Sequence, residues 1–369
     1  MLQLANPLFR QPAKAIIQQL AERFGSPEIS VIVVNWNRCE LLYNALESLA
    51  RQGGVEFEII VVDNGSVDRS LEVAAQQAAR HPCLNLRLIT NRCNRGFCAA
   101  NNQGIAASRA ALVALLNNDA EADPGWLAAL RRTFQGSPAV GMAASKILVY
   151  EDPSRIDKAG HLIYPDGQNR GRGSGEPDLG QYDRLEETLW PDGCAAMYRR
   201  AMLEQIGGFD EDFYAYGDDA ELGLRARIAG WTCLYVPDAV VRHHRGATLG
   251  LHSSRRLELI ERNRLWLAAK LFPWSLLWLN GAYYLTRIGA GIWAAARGRG
   301  EISQYPGLRG KVRVATALLK GDLKALWKLP RMLRKRRELR SFRKLTARQV
   351  RELILRHRIP LKALTQQRA

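Results

Sequence analysis

ISVIVVN (29–35) and FEIIVVD (57–63) are short runs, β-branched through their centres, that end on Asn35 and Asp63. A strand apolar on both faces needs cover on both sides, which a parallel sheet between helical layers provides. LNLRLIT (84–90) and ALVALLN (111–117) repeat the pattern. The segments at about 40–52, 67–80, 97–108 and 124–135 have helix length and apolar spacing. The order predicts an α/β fold, a doubly wound sheet whose ligands lie beyond the carboxyl ends of its strands. Three of the four runs end there in Asn35, Asp63 and Asn117-Asn118-Asp119. Asn and Asp also favour turns, so any one of these endings could be only a turn. Their agreement points to a site.

Composition sets the outer limits. The chain has 369 residues, of which 47% are hydrophobic and 24% charged, enough for one large or two ordinary globular domains. Its net charge of +17 is unevenly placed, because residues 297–369 hold 22 basic and 4 acidic side chains and leave 31 and 32 for the first 296. A nearly neutral body thus carries a cationic C-terminal part, and any partner selected by charge belongs to that part. Six cysteines without a CxxC pair indicate neither a disulfide framework nor a zinc site. With no export pattern at the N-terminus, a reducing cytosol is expected.

Farther along, 151–187 is rich in Gly, Pro and charge and reads as a long loop or lid. WPDG (190–193) follows, then a helix from about Asp218 to Gly230, short strands TCLYVP and AVVRHH, and an amphipathic helix from Ser254 to Phe272.

Five blocks now carry a resemblance: VNWNR (34–38), VDNGSVD (62–68), NRGFCAANNQG (94–104), LLNNDAE (115–121) and YGDDAELGLRARIAGW (216–231). In order and spacing they resemble a bacterial family 2 glycosyltransferase of the GT-A fold, nearest the rhamnosyltransferase and galactofuranosyltransferase subgroup, over roughly 29–245. ERNRLWLAAKLFP extends the resemblance more weakly. It implies a Rossmann-like mixed, mainly parallel sheet flanked by helices, with a C-terminal helical membrane-associating region. The implied divisions are an N-terminal helical extension (1–28), the GT-A domain (29–250), amphipathic and apolar helices (251–296) and a basic helical tail (297–369).

The same resemblance assigns roles. Asn35, Asn37 and Asp63 would hold the nucleotide, although Asp63 in DNGS also suits an Asx turn. Asn94 and Gly96 would close over it, or simply cap a helix. NND (117–119) stands where the family has its acidic metal motif, which gives Asp119 to a divalent Mg or Mn and Asn118 to the ribose. Hard cations want oxygen ligands, and the loss of two carboxylates puts strict metal dependence in question. His243 falls where related enzymes have a histidine ligand. Asp192 and Gly193, with Asp218, would line the donor and acceptor sugars. Asp219 would act as general base in an inverting, in-line transfer, although acids in a first helical turn also suit the helix dipole. Should metal play no part, Arg225 or Arg245 would compensate the phosphates.

The implied substrates are a nucleotide-sugar donor, dTDP-rhamnose being favoured, and a saccharide or lipid-linked acceptor in cell-surface polysaccharide synthesis. A nucleotidyltransferase is the alternative, but VNWNRCE lacks the glycines of a triphosphate loop. Specific nucleic-acid binding would draw only on the basic tail and is set aside. Five of nine tryptophans lie beyond residue 260, and Trp favours membrane interfaces. The apolar run 273–296 is long enough to span a bilayer, but Asn280, Arg287 and three glycines interrupt it. Peripheral docking on an anionic membrane, at the cytoplasmic face of the inner membrane, is therefore the expectation.

Overall fold

Alternate residues of the apolar runs face opposite sides of one sheet. The computed structural model describes residues 27–246, 253–299, 305 and 307–365. The extension expected over 1–28 lies almost wholly outside the described residues. In β1 (Ile29–Asn35), Val31 and Val33 enter one buried cluster and Ile32 the other. β2 (Phe57–Asp63) divides Ile59 and Val61 from Ile60 and Val62 in the same way, and β3 (Asn85–Thr90) forms the edge. β4 (Leu112–Leu116) divides Ala114 and Leu116 from Val113 and Leu115. Helices α1 (Cys39–Ala50), α2 (Ser70–Arg80), α3 (Phe97–Ala107) and α4 (Trp126–Gln135) lie close to their expected positions. Leu42 and Leu46 of α1 and Leu127 of α4 cover one face, while Cys98 and Ala100 of α3 cover the other.

The rest of the sheet comprises β5 (Ala120–Ala122), β6 (Val140–Val149), β7 (Ile156–Lys158), β10 (Glu186–Glu187), β11 (Ala195–Arg199) and β12 (Thr232–His243). β8 (His161–Ile163) and β9 (Asn169–Gly171) form a separate hairpin. The sheet order is β10-β12-β6-β11-β4-β1-β2-β3, with β5 on β12 and β7 on β6. β3, β2, β1 and β4 are mutually parallel, and β11 is antiparallel to both its neighbours. The mixed, mainly parallel sheet is the expected one. TCLYVP and AVVRHH are one strand, β12, with a register break between Val236 and Val240.

The reading of 151–187 as a loop or lid is corrected. It carries β7 to β10 and buries Ile156, Asp157, Ala159, Ile163 and Asp166 completely or nearly so. Its glycines, such as Gly160 and Gly167 at positive φ, close the turns between short strands.

α5 (Arg200–Ile206) and α6 (Asp218–Ile228) add to the second face. The helix expected over Ser254–Phe272 is α7 (Ser254–Leu271), but it is not amphipathic in the simple sense. Its Glu258, Glu261, Arg264 and Lys270 are all buried, which paired charges permit: Arg264 meets Glu261 at 2.5 Å, and Lys270 meets Asp210 and Glu221 at 2.7 Å. The run 273–296 breaks into a turn and α8 (Asn280–Ala296). No helix among the described residues is long and apolar enough to cross a membrane.

The described residues of 297–369 are mostly helical, and they are not a detached tail. α9 (Gly307–Trp327), α10 (Leu329–Glu338) and α11 (Ala347–Arg356) send Ala325, Met332, Val350 and Ile354 into the core cluster that holds Ile32. Part of the basic charge is spent internally. Lys335 pairs with Asp210 and Asp212, and Arg331 with Asp212 at 2.6 Å. Burial would raise the Asp210 carboxyl, but Lys270 and Lys335 hold it at about 2. Chain 357–359 also flanks β8, with Ile163 N donating to His357 O and Ile359 N to Ile163 O, each at 3.0 Å.

If the C-terminal helices share the catalytic domain's core, Met332→Ala should cost roughly 2–5 kcal/mol in urea unfolding. The loss should appear in the single transition that also reports the sheet. A cost below about 0.5 kcal/mol, or a separate transition, would contradict the shared core.

Candidate active site

The carboxyl ends of β1, β2 and β4 form a hydrogen-bonded rim. Asn35 Nδ2 donates to Asp63 Oδ1 and to Ser66 Oγ, each at 3.2 Å, and Asn118 Nδ2 donates to Asn35 Oδ1 at 2.7 Å. Asp63 accepts the Ser66 N–H at 3.0 Å, three residues on, which closes the DNGS loop one residue beyond the reach of an Asx turn. Asn37 joins through its own N–H to Ser66 Oγ at 2.7 Å, with a left-handed backbone at φ 58°. Asn94 Oδ1 accepts the Gly96 N–H at 2.9 Å and Asn64 Nδ2–H at 3.0 Å, which fixes the entry to α3. A Cβ on Gly96 would lie 2.4 Å from the Tyr214 ring, so this close approach requires glycine.

Beside the rim stands a buried chain of charges. β5 pairs with the end of β12, placing Ala120 opposite His243 and bringing the imidazole to Asp119. His243 Nε2 is 3.4 Å from Asp119 Oδ1, while Nδ1 is 2.8 Å from Asp157 Oδ2. A carboxylate only accepts, so Nδ1 holds a proton for Asp157, and Nε2 turns a lone pair to Asp119 only when it gives up its own proton, as it would to a bound cation. Asp119 Oδ1 is buried with no hydrogen-bond partner. Two acceptors then facing one another ask for a cation between them. Burial opposes charge on His243, yet Cys194, Asp119 and Asp157 lift its pKa well above the ordinary imidazole value, so the place favours positive charge.

The chain continues through Lys158, whose Nζ lies 4.0 Å from Asp157 and 2.7 Å from Asp192 Oδ2. His161 Nε2 is 2.9 Å from the same Asp192 oxygen and 3.5 Å from Asp219 Oδ2. Burial would raise the Asp192 carboxyl, but Lys158 and His161 hold it well below the usual range. Asp219 is raised by burial and by Asp192, against the lowering pull of His161 and Lys158. Asp218 is raised well above its ordinary value by burial and by Asp219. His161, Asp192 and Asp219 lie close enough to hold a metal, but the Lys158 ammonium already balances Asp192.

α6 begins at Gly217, with φ 75°, and its first turn carries Asp218, Asp219 and Glu221. Tyr214 and Tyr216 before it have positive φ, a strained arrangement for aromatic residues. Asn263 Nδ2 lies within hydrogen-bond reach of the carbonyls of Phe213, Ala215 and Tyr216 at 3.0, 2.9 and 2.6 Å, bracing the strained turn from α7. Gly193 sits beneath, where a Cβ would lie 3.2 Å from the Phe97 ring and 3.9 Å from Asp219 Cβ.

The expected residues thus fall into two groups, the rim and the charge chain. Arg225 is removed from the candidates for phosphate compensation, because its guanidinium is buried against Glu221 and the carbonyls of Gly207 and Gly208. Arg245 Nε faces Asp157 at 2.9 Å. Asp157, Lys158 and His161, which the sequence reading missed, all come from the supposed lid. The signal for them was the segment's apolar cluster, Ile156 to Tyr164, which a free loop does not need.

Residues 30–207 match the model of Glycosyl transferase family 2. The N-acetylglucosaminyl-diphospho-decaprenol L-rhamnosyltransferase of Mycobacterium tuberculosis strain H37Rv is 29% identical over 287 residues, 67% of this chain and 89% of that protein. The O-antigen biosynthesis protein RfbC of Myxococcus xanthus is 29% identical over 261 residues, 68% of this chain and 19% of that protein. In fold, the chain is similar to S. aureus TarS 1–349, with TM-score 0.52 and 17% identity over 89% of this chain and 88% of that one. It is also similar to GalNAc-T7 with UDP, GalNAc and Mn2+, with TM-score 0.56 and 13% identity over 89% and 67%. The chain is a glycosyltransferase with a GT-A-type sheet, and its residues 30–207 are those that match glycosyl transferase family 2.

Proposed function

We propose that the chain is an inverting transferase that moves a sugar, rhamnose from a dTDP donor, to a saccharide or lipid-linked acceptor of a cell-surface polysaccharide. The observation that carries this reading is the buried charge chain from Asp119–His243 to Asp219, beside the Asn35–Asp63–Asn118 rim. The relative that acts on a diphospho-decaprenol acceptor supports the lipid-linked alternative. Asn35, Asn37, Asp63 and Asn118 hold the nucleoside, with Asn94 and Gly96 at its edge. Asp192, Gly193 and Asp218 line the sugars. Asp219 takes the acceptor hydroxyl's proton as that oxygen bonds to the anomeric carbon and the bond to the nucleoside diphosphate breaks. Its raised pKa strengthens it as a base.

Asp119 Oδ1 and His243 Nε2 would hold Mg or Mn, which when bound neutralises the phosphates of the leaving diphosphate. The facing lone pairs support that fit, and Asp157 fixes the tautomer that leaves Nε2 free.

The exposed side chains of Trp278, Leu285, Ile292, Trp293 and Trp327 support peripheral docking on the cytoplasmic face of the inner membrane. Aromatic residues of this kind settle at lipid headgroups, and the unspent basic residues of α9 and α10 add attraction to anionic lipid.

Asp219→Asn should cut transfer on the order of 100-fold or more while donor binding persists; near wild-type transfer by folded protein would remove Asp219 as base. EDTA should abolish transfer, and Asp119→Ala and His243→Ala should each raise the Mg or Mn concentration needed for half-maximal rate. Full activity after EDTA treatment would exclude the metal role. Replacing Trp278, Trp293 and Trp327 with Ala should weaken binding to phosphatidylserine vesicles at least about 10-fold. Failure of the intact protein to bind such vesicles at low salt would end the docking proposal. Deletion of 297–369 does not test it, because core residues leave with the charge.

A further inference from the structure

We propose that His161 is the positioning residue for the base: its Nε2–H, shared between Asp192 and Asp219, holds the Asp219 carboxylate toward the acceptor. The inference rests on the reading of Asp219 as base and adds to it a residue from outside the motif blocks.

Four observations bear on His161. Its Nε2 faces two carboxylate oxygens, Asp192 Oδ2 at 2.9 Å and Asp219 Oδ2 at 3.5 Å. Both are acceptors, so Nε2 carries the proton. Nδ1 is buried without a hydrogen-bond partner. Nε2 is therefore the donating nitrogen. Second, the ring stacks on buried Trp190, with centroids 5.9 Å apart, which limits its rotation.

Third, the hairpin that carries His161 is anchored at both ends. β8 pairs with β9 on one side and with chain 357–359 on the other. At the hairpin tip, Arg287 Nε donates to Asp166 Oδ2 at 2.6 Å, and Arg264 and Asn280 donate to Asp166 O at 2.9 and 3.1 Å. Fourth, Asp219 has few other restraints. Its Oδ1 accepts the Ala220 N–H at 2.7 Å, leaving Oδ2 to face His161. The other titratable groups bearing on it are Asp192, Lys158, Asp218 and the buried Tyr198. Of these only Lys158 is cationic, and its Nζ is engaged by Asp192 at 2.7 Å. His161 is the donor placed between the two carboxylates.

During transfer the acceptor proton moves to Asp219 and the nucleoside diphosphate leaves; His161 neither gains nor loses a proton. Its role is to orient one oxygen and to stabilise the ionised form that can accept. Activity needs ionised Asp219 and fails as pH falls through its pKa, so removal of a donor that lowers that pKa moves the acidic limb to higher pH.

The test is the pH profile of kcat and of kcat/KM for His161→Leu and His161→Gln, with Asp219→Asn measured beside them. The Leu variant should lose on the order of 10- to 100-fold in kcat with donor KM unchanged, and its acidic limb should move to higher pH. The Gln variant, which keeps an N–H, should recover a large part of both and serves if the Leu variant does not fold. An acidic limb and kcat unmoved in the folded variants, with Asp219→Asn inactive, would overturn the role of His161 alone. Normal transfer by Asp219→Asn would overturn the underlying reading instead. A higher Mg or Mn requirement in the His161 variants would make the residue a metal ligand and would equally overturn the proposal.

Discussion

Asp119, Asp157, Asp192 and Asp219 are gathered in water-poor surroundings beyond the ends of the strands, and no fold can keep such a set ionised without positive charge threaded among them. Lys158, His243 and Arg245 supply it, and His161 adds an N–H donor between Asp192 and Asp219. Because one carboxylate in the series, Asp219, is left with only weak compensation, its pKa moves up while those of Asp157 and Asp192 move down. Carboxylates of one chemical type acquire different proton affinities through their surroundings alone.

That need for charge accounts for much of the architecture around the site. The excursion 151–187 does not cover the site from outside. It feeds Asp157, Lys158 and His161 into it, and so must be held as firmly as a strand of the sheet. β7 is held on β6 and β8 between β9 and chain 357–359. The C-terminal helices complete the support: Asp166 at the hairpin tip is bound by α7 and α8, and Asn263 holds the turn that presents Asp219.

The C-terminal region therefore has two aspects. Its inner side is core, with Met332, Val350 and Ile354 packed in the same cluster as the sheet residues. Its outer side exposes Trp278, Trp293 and Trp327. The exposed tryptophans and the scaffold that grips the hairpin of the site belong to the same helical region, so the surface proposed to dock on lipid and the catalytic domain share one core.

The sequence by itself determined the sheet and its rim. Two-faced apolar runs can be buried only between helical layers, and Asn35, Asp63, Asn118 and Asp119 stand at the strand ends because the run lengths put them there. The places of Asp219 in a first helical turn and of His243 at a strand end were legible too. The same sequence misled over 151–187, because Gly and Pro signal turns without saying whether the pieces between them are strands. It misled again over the tail, where a count of basic residues cannot show that Lys335 and Arg331 meet Asp210 and Asp212. Which acid meets which base is decided by contacts between residues far apart in the chain, such as His161 with Asp192 and Asp157 with His243. Only the folded chain creates the desolvation that makes those pairings matter, so the tasks of the carboxylates belong to the tertiary structure.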